Sequence, residues 1–149
     1  MSKMPTRTYL ALAAAVLLSI ACNRTDNSSA AMQETAHFKL QTEPTGTYEK
    51  DKSGLALVRL TPKGGFKINN EYPFRFECQS PPSDGISYPK PTLQSSDGKL
   101  SDHEALFSVP FIPSKSGALK VGGLLSLSVC NDQQCIMDKR MVSIDITVP

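Results

Sequence analysis

The chain has no tryptophan, only two histidines and four cysteines, and aromatic residues make up just 7% of its 149 positions. Without tryptophan, the Cys-Trp-Cys core of antibody-type domains is excluded. His37 and His103 are isolated, and no close Cys/His pairing brings them into a metal-ligand pattern with Cys78, Cys130 or Cys135. No metal and no cofactor is therefore expected. A dominant charge of one sign is also missing. Of 16 basic residues, Lys3 and Arg7 lie in a segment expected to be removed, which leaves 14 against 14 acidic residues and no basic run. Such a balance gives nucleic-acid binding no electrostatic support. No nucleophile motif for Ser/His/Asp catalysis is present. The pairs Gly64-Gly65 and Gly122-Gly123 are too short for a phosphate-cradling loop.

The first apolar stretch, Leu10 to Ile20, follows Lys3 and Arg7 and ends at a small-residue boundary, Ala21-Cys22. Positive start, short apolar run and small-residue boundary are the three parts of a secretory signal, expected over residues 1–21. The run is short for a membrane span. Cys22, preceded by Leu18-Ser19-Ile20-Ala21, resembles the acylated cysteine of a bacterial lipoprotein. By that resemblance, Cys22 carries the lipid anchor and Asn23 permits sorting to the outer membrane. Residues 22–36, rich in Asn, Ser, Thr and Ala, offer little to bury and read as a flexible tether.

After the signal no segment carries a helical period, and the chain reads as short strands punctuated by Pro and Gly. Strand signals begin at Phe38-Lys39-Leu40 and strengthen over Leu55 to Leu60. A turn at Thr61-Pro62-Lys63-Gly64-Gly65 is followed by the short segment Phe66-Lys67-Ile68. In the next strand Phe74, Phe76 and Cys78 share one side, which makes Cys78 a buried, inert thiol. Gln79 to Gly98 is proline-rich and too irregular for central strands. Phe107, Val109 and Phe111 share a face, with Pro110 and Pro113 implying an early end or an edge position. Leu119-Lys120-Val121 starts another strand, and Gly122-Gly123 marks a bulge or bend. Seven or so antiparallel strands predict an all-β sandwich over residues 37–149.

The last alternation carries the chemistry. Leu125, Leu127 and Val129 precede Cys130, and Val142, Ile144, Ile146 and Val148 follow Cys135. Two half-buried strands joined by the polar tetrad Asn131-Asp132-Gln133-Gln134 form a hairpin that sets the cysteines opposite each other. Two thiols so placed are either a redox couple or a structural staple. Exchange needs a thiolate, an accessible sulfur and a second thiol to release the mixed disulfide. Asp132 opposes a thiolate, whereas Lys139 and Arg140 favour one if they fold back toward the pair.

Three stretches resemble the N-terminal periplasmic domain of the thiol:disulfide interchange protein DsbD: residues 65–69 with Tyr72-Pro73-Phe74-Arg75-Phe76, then residues 105–111, then residues 124–135. The resemblance covers roughly Leu55 to Val148. It implies an immunoglobulin-like sandwich and electron delivery through Cys130 and Cys135. Cys135 then forms the mixed disulfide and Cys130 resolves it. The implied partners are thioredoxin-like or membrane-embedded redox proteins of the cell envelope, because this chain carries neither of those parts itself. The family's second cysteine is usually followed by Pro-Pro, where this chain has Ile136-Met137, and its aromatic cap loop corresponds to residues 94–98, which hold no aromatic. The competing expectation is a non-enzymatic envelope lipoprotein, a binding module in which Cys130–Cys135 is a structural disulfide.

Overall fold

The computed structural model describes residues 31–149. The expected signal segment, Cys22 and the first part of the tether lie outside the described residues. Eleven strands form two antiparallel sheets. The first sheet runs β1 (Ala31–Glu34), β2 (Phe38–Pro44), β3 (Gly54–Pro62), β9 (Glu104–Pro113) and β6 (Ile86–Ser87), with β8 (Lys99–Ser101) also pairing with β9. The second runs β11 (Cys135–Val148), β10 (Gly117–Cys130), β5 (Arg75–Cys78) and β7 (Thr92–Gln94), with β4 (Lys67–Ile68) against the far end of β10. The all-β sandwich expected from the punctuated alternations is the observed architecture.

One continuous core lies between the sheets. Phe38, Leu40, Val58, Leu60, Phe107 and Phe111 come from the first sheet, and Phe74, Phe76, Leu125, Leu127, Ile144 and Ile146 from the second. Each strand contributes alternate residues because successive side chains point to opposite faces. In β3 this sorts the nearly unbroken apolar run 55–60: Ala56, Val58 and Leu60 are buried, while Leu55 is exposed. Fully burying a large apolar side chain contributes about 1.5–3 kcal/mol, so the alternation fixes the register of each strand.

The loop before β3 is fastened to this core by Tyr48. Its hydroxyl donates to the Leu55 carbonyl and accepts from the Thr45 N–H, both at 2.8 Å, and its ring packs on Phe111 at 5.0 Å between centroids. At the opposite edge, Gln33 of β1 donates from Nε2 to the Met141 carbonyl at 2.8 Å and links the two sheets.

Three details differ from the sequence reading. The ordered domain begins earlier than residue 37: Ala31–Glu34, within the stretch read as tether, pairs with Lys39–Thr42. That segment is short and largely exposed, so its backbone pairing rather than apolar burial holds it. Pro110 and Pro113 neither end β9 early nor put it at an edge. The strand pairs with β3 on one side and with β8 and β6 on the other. The proline-rich span 79–98 holds no central strand, as expected, and contributes only β6, β7 and a single 3-10 turn, Ser95–Asp97.

The third difference is Gly122-Gly123, which forms no bulge. The pairing of β10 with β11 runs in unbroken register through Gly122 opposite Ser143 and Gly123 opposite Val142, so Leu119 to Cys130 belongs to one 14-residue strand. The reason for glycine is space. A Cβ on Gly123 would stand 2.4 Å from the Glu77 carbonyl oxygen and 2.5 Å from Phe76 Cζ. Gly123 therefore leaves room for the Phe76 ring against the strand. Gly123→Ala is expected to lower stability by about 1–3 kcal/mol, the usual cost of overpacking a filled core. Urea unfolding monitored by tyrosine fluorescence measures this, and an unchanged midpoint contradicts it.

Candidate redox site at the hairpin end

The β10–β11 hairpin carries fourteen register pairs, from Gly117 opposite Val148 to Cys130 opposite Cys135. Its loop is closed by Asn131. The Asn131 N–H donates to the Gln134 carbonyl at 2.9 Å, and its Oδ1 accepts from the N–H groups of Gln133 and Gln134 at 3.0 and 2.9 Å. An Asn side chain that bonds the backbone two residues on builds a turn from local atoms alone. With Asn131 and Gln134 exchanging a hydrogen bond, Cys130 and Cys135 fall at the next, non-hydrogen-bonded position, where facing residues come closest. Their Cα atoms are 4.0 Å apart and the two sulfurs form a disulfide. The sequence expectation that the tight hairpin would juxtapose the cysteines holds.

The two sulfurs have different surroundings. Cys135 is exposed, at the start of the edge strand β11, whereas Cys130 is half-buried between β11 and β4. Both point to the face of the second sheet away from the core, because core-facing Val129 is fully buried and directly precedes Cys130. Ser128 and Met137 form the next pair on that outer face, then Ser126 and Lys139, then Leu124 and Met141. Met137 and Met141 are 70% and 65% exposed, with the exposed Lys139 between them on the same face. Ser128 is buried; its hydroxyl accepts from Asn69 Nδ2 at 3.4 Å and lies 4.0 Å from Cys130 Sγ.

Lys139 and Arg140 do not fold back to the pair. Lys139 stands two pairs away, opposite Ser126. Arg140 occupies the inward face, where its Nε and Nη2 donate to Asp138 at 2.9 and 2.6 Å and its guanidinium covers the Phe38 ring at 5.4 Å. Alternation along β11 dictates this split, since neighbours on a strand take opposite faces. The cation that the fold does bring to the hairpin end is Lys67. It pairs with Cys130 across β4–β10, and its ammonium lies 3.6 Å from the Asp102 carboxylate. No local signal at Phe66-Lys67-Ile68 announces this neighbour, because the pairing joins distant parts of the chain.

The segment expected to correspond to a cap, residues 94–98, is also placed elsewhere. Gln94 pairs with Arg75 on β5, which in turn pairs with Ser126, so this turn lies two strands from β10 and not over the cysteines. Its Asp97 is held by Lys90 and by the Gln94 N–H, and these hydrogen bonds keep its carboxyl below the usual carboxylate range.

Cys78 is not part of the site. It sits opposite Gly123, seven residues along β10 from Cys130, or roughly 23 Å at the rise of a strand. Its thiol is buried, donates to the Lys90 carbonyl at 3.4 Å, and is pushed up to about 11 by burial. His103 is exposed in the turn between β8 and β9, and His37 is half-buried against the Phe66 ring at 4.7 Å. Cys78 therefore stays protonated at neutral pH and should resist iodoacetamide in the native protein, reacting fully once denaturant is added. Peptide mass mapping reads this directly; rapid native labelling of Cys78 would contradict the burial. Because its thiol ionises later in the folded than in the unfolded chain, Cys78 contributes stability that is complete below about pH 9 and fades as pH rises through about 11.

Against known proteins, no family model matches this chain and no curated protein matches it.

Proposed function

We propose that the domain exchanges disulfides with redox proteins of the cell envelope through Cys130 and Cys135, as its resemblance to the N-terminal domain of DsbD implies. The observation that carries this reading is the asymmetry of the pair: an exposed Cys135 backed by a half-buried Cys130. An incoming thiolate from a dithiol partner attacks Cys135 Sγ. The Cys130–Cys135 bond breaks, Cys130 leaves with the electron pair as a thiolate, and a mixed disulfide joins Cys135 to the partner. The partner's second thiolate then attacks its own sulfur in that bond and releases Cys135. The partner ends as a disulfide, and this domain holds two thiols after taking up two electrons and two protons. The reverse sequence passes the electrons on to an oxidised envelope protein. Met137, exposed on the same face two residues from Cys135, offers the partner an apolar contact. A lipidated Cys22 would hold the domain at the membrane while the intervening residues let it reach its partners.

A second reading, the structural staple in an envelope binding module, draws on the same bridge. Closing so small a loop contributes about 2 kcal/mol in the chain-entropy model, and the hairpin already has fourteen paired positions and an Asn131 turn. The staple therefore adds little that the hairpin lacks, and exchange is the better account.

Equilibration of the oxidised protein in dithiol redox buffers separates the two. Exchange predicts a reduction potential less negative than about −300 mV, whereas structural bridges of secreted proteins typically fall below that value. A potential far below it would assign the pair to the staple. The anchor has its own test. The mature protein isolated from membranes should weigh more than the chain from Cys22 onward by the mass of a diacylglyceryl group, and an unmodified mass would exclude the lipid.

A further inference from the structure

Resting on that reading, we propose that Lys67 is a positioning residue that makes Cys130 the leaving and resolving thiolate, with Asp102 setting how much of its charge the sulfur feels. Lys67 and Cys130 are directly opposite across β4–β10, so their side chains share the outer face with Cβ atoms about 5 Å apart. A lysine side chain spans that gap easily. Its side chain is 62% exposed. β4 is itself held by the Ile68 N–H donating to the Asp102 carbonyl at 2.8 Å and by the Asn69 N–H donating to the Ser128 carbonyl at 3.1 Å. The same Asp102 that anchors the strand through its backbone approaches the Lys67 ammonium through its carboxylate.

Opening the bridge at Cys135 places a full negative charge on Cys130 Sγ. A thiol leaves faster when its thiolate is stabilised, and a neighbouring ammonium does this. The Ser128 hydroxyl, 4.0 Å from the same sulfur, supplies a donor from beneath. The charged groups around Cys130 are Lys67 on β4, Asp102 in the turn before β9, and Asp132 in the hairpin loop. β11 presents the uncharged Cys135 and Met137 there. Of these groups only Lys67 favours the anion. Among the described residues, Cys135 at the exposed edge has Cys130 as its register partner and no paired cation. The arrangement therefore biases cleavage so that charge collects on Cys130 and the mixed disulfide forms at Cys135.

The test uses the full chain carrying Cys135→Ala, reduced, with iodoacetamide alkylation of Cys130 followed by peptide mass from about pH 5 to 10. Lys67→Met should raise the apparent pKa of Cys130 by about 0.5–1 unit and slow its alkylation near neutral pH by about three- to tenfold. Lys67→Arg should restore the profile. Asp102→Asn should move it the opposite way, because it frees the ammonium. A Lys67→Met profile that superimposes on the parent, or Lys67→Met and Asp102→Asn moving it in the same direction, overturns the proposal. The assay starts from the reduced thiol, so it does not depend on whether the bridge exchanges with partners. A bridge potential below about −300 mV would reject the exchange reading, while the opposed shifts would still establish the Lys67 effect on Cys130.

Discussion

The register of the β10–β11 hairpin is the constraint on which the rest depends. Fourteen consecutive pairs tie Gly117–Cys130 to Cys135–Val148 with no bulge. Inward, this register lines up Leu119 with Ile146, Val121 with Ile144 and Gly123 with Val142, and so builds half of the core. Outward, it sets Cys130 against Cys135 at a close-approach position and stacks Ser128, Ser126 and Leu124 behind them. A slip of one residue would reverse both faces at once. It would turn the outward row toward the core, turn the apolar row away from it and part the cysteines. Core stability and the geometry of the sulfur pair are therefore one property of this strand pair.

The remaining elements secure the two ends of that hairpin. At the middle of β10, β5 brings Phe76 so close that only glycine fits at position 123. At the far end, β4 lays Lys67 beside Cys130, and Asn69 reaches Ser128. On the other flank β11 is an edge strand, fastened by Gln33 at Met141 but open beside Cys135. The bridge thus has one supported side and one open side, with Cys130 half-buried and Cys135 exposed.

Much of this was legible in the sequence, for reasons that can be stated. Alternation on both sides of Cys130 and Cys135 exposes the hairpin, since period-two burial is written residue by residue. Phe74, Phe76 and Cys78 declare a buried thiol in the same way. What local pattern cannot carry is contact between distant segments. Gly122-Gly123 reads as a bend because glycine commonly marks one, yet its cause is the Phe76 ring of another strand. Pro110 and Pro113 suggest a terminus, but β9 accommodates both while paired on its two sides. Lys139 and Arg140 look like the cations nearest the pair in sequence, and strand alternation sends one two pairs away and the other inward onto Phe38. Lys67, distant in sequence, is the cation that arrives.

The central claim is that Cys135 is the point of entry to this pair. It is tested most directly by acid-quenching the oxidised protein during its reduction by glutathione and mapping the trapped mixed disulfide by peptide mass. The account predicts glutathione on Cys135, with Cys130 recovered as a free thiol. Glutathione found on Cys130, or no trappable intermediate because the bridge resists reduction altogether, would contradict it.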